Sequence, residues 1–204
     1  MIQTLSELRS NDVLFVHVCC APCLANPLPV LARLGCRTEY FFFNPNIHPY
    51  AEYARRAHAA TALLAEAGFA LDVAPYDPAA YFDAIRTTRR EPDRCRICYR
   101  LRMEHAAHVA ASRGATHFTT SLLSSPFQKH DLVKEEGVRA ARDAGLSFVY
   151  YDLRDSYYAG VQRVRERGLY RQSYCGCVFS EIDRIQQKPA RLLAQARRAS
   201  RAPL

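Results

Sequence analysis

Seven of the eight cysteines in this chain fall into three tight knots, Cys19-Cys20-Ala21-Pro22-Cys23, Cys95-Arg96-Ile97-Cys98 and Cys175-Gly176-Cys177, and only Cys36 stands alone. Thiols from such distant stretches act together only if the fold carries all three to one place. The N-terminus, Met1-Ile2-Gln3-Thr4-Leu5-Ser6-Glu7, has neither the basic start nor the apolar run of a secretion signal. No apolar stretch approaches the ~20 residues needed to cross a bilayer. A cytoplasmic setting is therefore expected, with no membrane partner. Thiols stay reduced there, so the knots point to a metal or redox centre assembled by folding rather than to a disulfide scaffold.

The pattern between the knots predicts how they meet. Val13-Leu14-Phe15-Val16-His17-Val18 reads as a buried strand that delivers Cys19 and Cys20 at its C-terminal end. A helix closing at Gly35 follows, with Pro22, Pro27 and Pro29 limiting where it starts, and Thr38 to Phe43 is a second strand. Helical composition over Tyr50 to Ala67, a strand at Ala70 to Ala74, and a helix opening at Pro78 come next. A long helix from Arg96 to Arg113 carries the second knot at its N-terminus. His117 to Thr120 reads as a strand, Ser121 to Pro126 as a polar loop, Asp131 to Ala144 as a helix and Leu146 to Tyr151 as a strand. Such alternation predicts an α/β fold, a doubly wound and mainly parallel sheet, with ligands beyond the C-terminal strand ends. With 204 residues, one α/β catalytic domain over 1–183 is expected, followed by a basic tail over 184–204.

The formal net charge is +8, and the cations cluster. Arg86, Arg89, Arg90, Arg94, Arg96, Arg100 and Arg102 surround the second knot, and Arg163, Arg165, Arg167 and Arg171 precede the third. The tail from Arg184 to Arg201 carries six basic residues and no acidic one. This distribution suits a polyanionic partner, nucleic acid first, held by charge-assisted contacts to phosphate. Tyr99, Tyr157, Tyr158, Tyr170 and Tyr174, set beside arginines and thiols, are either stacking platforms for bases or packing residues.

Cys95 and Cys98 at a helix start have the spacing of a metal or dithiol pair. Neighbouring Cys19 and Cys20 strain the peptide between them when they share one small tetrahedral ion. A cluster, by contrast, offers several metal corners, so Cys19, Cys20, Cys95 and Cys98 match a 4Fe-4S cluster better than zinc or metal-free dithiol chemistry. Cys175 and Cys177, one residue apart, can close a small strained disulfide that suits a redox reservoir; the alternative is a pair of buried apolar cysteines. Cys23 is open between a second metal and packing, and Cys36 reads as structural. His17 is expected as a hydrogen-bonded core histidine and His48 as a substrate contact.

Taken together, Val16-His17-Val18-Cys19-Cys20-Ala21-Pro22-Cys23, Asn44-Pro45-Asn46-Ile47, Cys95-Arg96-Ile97-Cys98-Tyr99-Arg100-Leu101-Arg102-Met103, Thr119 to Pro126 with Gln128-Lys129-His130-Asp131, and Tyr174-Cys175-Gly176-Cys177 resemble the epoxyqueuosine reductases of the QueH type. The likeness runs from Val16 to about Ser180. It implies a sheet of the adenine-nucleotide α-hydrolase type and a 4Fe-4S cluster on Cys19, Cys20, Cys95 and Cys98. It also implies a redox-active disulfide between Cys175 and Cys177, and the reduction of epoxyqueuosine at the wobble base of tRNA to queuosine. An additional iron, using Cys23, would supply an open Lewis-acid position that an all-cysteine cluster lacks. Protons would come from His130, Asp131 or water. The physiological electron donor is unknown. The Ser-Gly-Gly-x-Asp-Ser phosphate loop of the nucleotide-using relatives is replaced here by Cys19-Cys20-Ala21-Pro22-Cys23, so no nucleotide cofactor is expected. Two competing readings are a tRNA-thiolating iron-sulfur enzyme and a zinc-stabilised RNA-binding module.

Overall fold

A computed structural model of the chain describes residues 1–187. Most of the expected basic tail, from residue 188 onward, lies outside the described residues. Six strands, β1 (Ile2–Gln3), β2 (Val13–His17), β3 (Arg37–Phe42), β4 (Leu71–Val73), β5 (His117–Thr120) and β6 (Ser147–Val149), form one sheet in the order β1-β6-β5-β2-β3-β4. Every pairing is parallel, with Val16 opposite Tyr40 on one side and Thr119 on the other. Among the described residues it is accompanied by helices α1 (Ala21–Ala25), α2 (Leu28–Leu31), α3 (Tyr50–Glu66), α4 (Pro78–Ala84), α5 (Asp93–Ser112), α6 (His130–Asp143) and α7 (Tyr157–Glu166). Residues 178–187 are also helical. Among the described residues no helix is long and apolar enough to cross a membrane.

Side-chain alternation explains why the sheet is covered on both faces. Along β2, Leu14 and Val16 point into a core shared with α1, α2 and α3, while Phe15 between them enters a second core with Met103 of α5 and Val133 of α6. All three strand residues are inaccessible to solvent. A strand buried on both sides is apolar without interruption, and β2 reads that way. Each Val, Leu or Phe buried in this manner contributes about 1.5–3 kcal/mol from removal of apolar surface.

Several boundaries differ from the sequence expectation. The single helix expected to close at Gly35 is two short ones, with Pro22 and Pro29 each placed in a first turn, where a missing N–H leaves no helical bond unmade. Helix α5 begins at Asp93, three residues before the expected Arg96, so Cys95 and Cys98 lie within its first two turns. Helix α7 and strand β1 were not anticipated. Helix α7 sits directly on α1: a Cβ at Gly160 would stand 2.9 Å from the Cβ of Asn26 and 3.0 Å from the carbonyl oxygen of Pro22. Asn26 fixes the approach by donating to the Leu153 carbonyl at 2.7 Å. The α1 segment that carries Cys23 is thereby held against the rest of the molecule.

Candidate thiol and metal centre

Read from its far edge, the sheet runs β4-β3-β2-β5-β6, so the chain leaves β2 toward one side and β5 toward the other. The crevice beyond the C-terminal ends of two such strands is where ligands bind in open α/β sheets. Cys19 and Cys20 follow β2, and Ser121 follows β5. The Cys19 N–H donates to Ser121 Oγ at 2.9 Å, and the serine hydroxyl in turn faces Cys19 Sγ at 3.3 Å. His17, the last residue of β2, is fully buried between Thr120 Oγ1 (2.9 Å from Nδ1) and the Phe43 carbonyl (3.0 Å from Nε2). An acceptor at Nε2 leaves the proton there, and burial lowers the ring pKa to about 3, so His17 is a neutral core histidine as expected.

Three sulfurs meet at this crevice. Cys19, Cys20 and Cys23 are all buried, with their Sγ atoms within 4.8 Å of one another and those of Cys19 and Cys20 3.6 Å apart. The helical turn from Cys20, which caps α1, to Cys23 makes the convergence possible. Burial drives the Cys19 thiol well above the usual range, and hydrogen bonding to Cys19 and Cys20, with burial behind it, drives Cys23 the same way. Burial opposes ionisation at Cys20 too, yet hydrogen bonds from Cys19 and Cys23 and the charge of Arg56 draw it well below the thiol range. Gln172 completes its surroundings, donating from Nε2 to Cys20 Sγ at 2.9 Å. Of the three, Cys20 is the thiol whose surroundings most favour loss of its proton.

The other two knots meet each other. Cys95, Cys98, Cys175 and Cys177 line one narrow cavity of about 20 Å³ with Asn46, Tyr81, Arg94 and Tyr99. Asn46 Oδ1 and Arg94 Nε, on two of the lining residues, are buried without a hydrogen-bond partner, and the Tyr81 hydroxyl lies beside Cys177. Burial pushes Cys98 up to about 12 against the pull of Arg102, and pushes Cys95 further still, helped by Glu91. All eight cysteines are free thiols in this structure, Cys175 exposed and Cys177 buried.

Arg102 ties the two thiol groups together. Only 2% exposed, it donates from Nη2 to Asn44 Oδ1 at 2.5 Å, while Asn44 donates to the Val18 carbonyl at the end of β2. Burial works against its charge, but Cys98, Cys19 and Cys175 outweigh that cost and hold the guanidinium above its ordinary pKa. On the exposed side, Tyr99 donates to Gln128 Oε1 at 2.9 Å, which places that amide beside Cys175 Sγ at 3.8 Å.

Soft sulfur donors free of carboxylates suit zinc, copper(I) or an iron-sulfur cluster. The Cys19–Cys20 separation of 3.6 Å is close to the edge of about 3.8 Å that a tetrahedral ion at ~2.3 Å from each sulfur requires, and Cys23 lies within 4.8 Å of both. Adjacent Cys19 and Cys20 thus bring their sulfurs together with that of Cys23. Cys23 belongs with a buried group able to bind a metal, whereas Cys95 and Cys98 stand with Cys175 and Cys177.

The remaining candidates divide. Cys36 is half-buried between α2 and β3, with burial raising its thiol. His48 stacks on Phe82 at 4.7 Å and keeps Nε2 buried and unpartnered. His130 is buried against the Tyr150 hydroxyl at 3.1 Å, and neither it nor exposed Asp131 is among the residues lining the thiol cavity. Of the arginines around the second knot, Arg94 and Arg102 are interior, and Arg96 and Arg100 pair with Glu136. Arg86, Arg89 and Arg90 remain exposed. Arg89 and Arg90 line an open cavity of about 530 Å³ with Glu91, Arg94 and Phe179, so Arg94 borders both cavities. Tyr99 and Tyr157 are buried and Tyr158 is exposed. Sequence reading missed Arg56, Gln172 and Tyr81, and took Ser121 only as part of the loop over Thr119 to Pro126. Only the i,i+4 spacing of Glu52 and Arg56 gave any signal, and that spacing ordinarily marks a solvated helix face.

Comparison with known proteins adds a family. A family model described as "Epoxyqueuosine reductase QueH" matches residues 14–183. The chain is 38% identical over 173 residues to a protein of that name from Dehalococcoides mccartyi, covering 84% of this chain and 94% of the relative. A second, from Streptococcus pyogenes serotype M1, is 32% identical over 190 residues, covering 86% and 74%. Among solved structures, a predicted subunit of tRNA methyltransferase from Methanocaldococcus jannaschii superimposes with a TM-score of 0.44 at 13% identity, over 75% of each chain.

Proposed function

The chain belongs to the epoxyqueuosine reductase QueH family, and from that premise we propose how its own residues serve the reduction of epoxyqueuosine in tRNA, the last step of queuosine biosynthesis. The protein is an oxidoreductase. The observation that carries the finer reading is the cavity that gathers Cys95, Cys98, Cys175 and Cys177 at the sheet's ligand-binding edge. Converting the epoxide to an alkene and water consumes two electrons and two protons. A dithiol that closes to a disulfide releases two of each, so Cys175 and Cys177 supply the stoichiometry in one turnover, and an external donor must then reopen the bond.

Cys19, Cys20, Cys95 and Cys98 would hold a 4Fe-4S cluster, which when bound would pass electrons singly at low potential, with an additional iron at Cys23 lending Lewis-acid help to C–O cleavage. The four donors are all sulfur, three of them are buried and Arg102 faces Cys19 and Cys98, although Cys19 and Cys20 group with Cys23 and Cys95 and Cys98 with Cys175 and Cys177. A second reading rests on the convergence of Cys19, Cys20 and Cys23, which favours a single ion there.

The chain's own groups have separable tasks. Arg102 offsets negative charge on the thiols. Asn46, Tyr81 and Arg94 line the water-sized cavity behind the thiols, and exposed Cys175 would meet the substrate from outside it. Exposed Arg89 and Arg90, beside it, face the phosphate backbone of the anticodon loop. Residues 1–183 would carry all of this, with the basic tail adding electrostatic attraction.

Anaerobic incubation with epoxyqueuosine-containing tRNA and a strong reductant, followed by nucleoside mass analysis, should show loss of one oxygen. Gain of sulfur would instead mark a thiolating enzyme. The anaerobically purified protein should be brown, with iron and acid-labile sulfide lost in Cys95→Ser. A colourless protein holding zinc alone would reject the cluster, and metal lost in Cys23→Ser but retained in Cys95→Ser would favour the single-ion reading.

A further inference from the structure

The Cys175-Gly176-Cys177 segment has no regular secondary structure of its own, yet its backbone is held at every carbonyl. A guanidinium from α3 grips two of them: Arg56 donates from Nη1 to the Cys175 carbonyl at 2.8 Å and from Nη2 to the Tyr174 carbonyl at 3.2 Å. The His48 N–H takes the Gly176 carbonyl at 3.0 Å, and Ser180 Oγ donates to that of Cys177 at 2.7 Å while accepting from the Gly176 N–H at 3.3 Å. Tyr174 returns the favour by donating its hydroxyl to the His48 carbonyl at 2.8 Å.

Arg56 itself is fixed. Its Nε donates to Glu52 Oε1 at 2.7 Å, one helical turn earlier, and both side chains are 2% exposed. The other carboxylate oxygen of Glu52 accepts from the Tyr170 hydroxyl at 2.7 Å and from Arg55 at 2.8 Å. The Tyr174 ring covers the guanidinium at 5.1 Å. A buried ion pair is weak support for stability, because desolvation consumes most of the attraction, so retaining one calls for a purpose such as fixing a geometry. Arg56 has its planar fork spread across successive carbonyls, which a lysine ammonium cannot match.

We propose that the buried Glu52–Arg56 pair is a positioning device for the Cys175/Cys177 dithiol, holding its backbone in the conformation of the reduced state and so setting the reduction potential of the couple. The inference rests on the redox role given to these two thiols above. Arg56 touches no reacting atom. It acts through the backbone that carries them. On this proposal, closing the bond, in which Cys175 and Cys177 lose two electrons and two protons to form S–S, moves the segment against the backbone contacts that Arg56, His48 and Ser180 make. The clamp thus favours the dithiol, and loosening it favours the disulfide.

The test follows the couple in the anaerobically prepared, metal-loaded full chain. The protein is equilibrated in dithiothreitol buffers of graded ratio, alkylated, and the peptide bearing Cys175 and Cys177 is quantified by mass spectrometry. Arg56→Lys keeps the charge and loses the fork. It should shift the dithiol–disulfide equilibrium about tenfold toward disulfide, a midpoint about 30 mV lower for a two-electron couple. Tyr170→Phe, which loosens Glu52 from outside and spares the fold, should shift it in the same direction by a smaller factor. Ala60→Gly, buried in the same helix, should lower Tm and leave the midpoint alone. A wild-type couple with unchanged midpoints in both Arg56→Lys and Tyr170→Phe overturns the clamp, as does an equal shift in Ala60→Gly. Failure of wild-type Cys175 and Cys177 to pair at any ratio overturns the redox reading itself.

Discussion

Replacing Gly176 by alanine should damage this protein in a way the structure allows to be apportioned. Gly176 has φ of +131°, a region L-residues rarely enter, and an added Cβ would stand 2.9 Å from Ile47 Cγ1, 3.0 Å from Arg56 Nη1 and 3.2 Å from Asn46 Nδ2. The backbone term is about 1–3 kcal/mol, and crowding against groups that cannot swing away adds about 1–3 kcal/mol. Arg56 cannot yield without releasing Glu52 or the two carbonyls it holds. An escape exists: the segment can detach, at the expense of the bonds to the Tyr174, Cys175, Gly176 and His48 carbonyls, each worth about 1 kcal/mol net. That escape caps the loss at about 2–4 kcal/mol. At about 2–4 °C per kcal/mol for a chain of this size, Tm should fall by about 5–15 °C. Trypsin should cut faster after exposed Arg171, and reductase activity should fall by far more than stability does. A Gly176→Ala protein with Tm within about 1 °C of wild type, unchanged proteolysis and unchanged rate would refute the clamped-segment reasoning.

Other expectations follow from groups away from the thiols. Glu136 is 2% exposed and receives Arg96, Arg100 and Arg139, joining α5 to α6. Glu136→Ala should cost about 1–3 kcal/mol in urea denaturation, less than a fully buried pair because its partners are partly solvated. His117 has its pKa lowered by burial, with Asp12 opposing. The unfolded chain therefore binds more protons near pH 6, so stability from this group is complete above the unfolded value of about 6.5 and is lost as pH falls below it. Urea midpoints measured from pH 8 to pH 5 should drop, and His117→Gln should flatten that drop. Cys36→Ala should leave metal content and rate unchanged and alter stability by less than about 1 kcal/mol, which thiol counting, iron analysis and denaturation would check together.

The elements most legible in the sequence were those whose signal is local. The β2, β3, β5 and β6 segments were read to within a few residues because continuous β-branched and aromatic runs mark strands buried on both faces. Strand β1 is two residues long and exists only because β6 offers an edge, so no window of sequence could reveal it. Helix α7 was hidden for a related reason: its apolar face, Tyr157, Val161 and Val164, is interrupted by Gly160, whose missing side chain makes sense only once Asn26 lies against it. In the site, the cysteine knots announced themselves by composition, but which knot faces which is a property of the sheet order. The Glu52–Arg56 pair looked like any exposed helical ion pair. What buries it is Tyr170, Tyr174 and the segment after them, arriving more than a hundred residues later.

The balance of interior charge says what state the thiol centre is built for. Arg56 has Glu52 and Arg94 has Glu91. Among the described residues no carboxylate pairs with Arg102, whose Nε also lacks a partner although the side chain is buried. A lone buried guanidinium would be several kcal/mol out of balance in an apolar interior. Its neighbours are the sulfurs of Cys98, Cys19 and Cys175, which belong to three different knots. As neutral thiols they offer Arg102 little. Only as thiolates would they supply the missing anions, and burial holds Cys98 and Cys19 above the usual thiol range even with Arg102 beside them. Cation and thiols are each costly alone, and each offsets the cost of the other once the sulfurs ionise. Metal binding demands that same ionised state, since ligand thiols must lose their protons. What the interior supplies is a buried cation within reach of three thiols that are held protonated, and any process that takes those protons relieves both costs together.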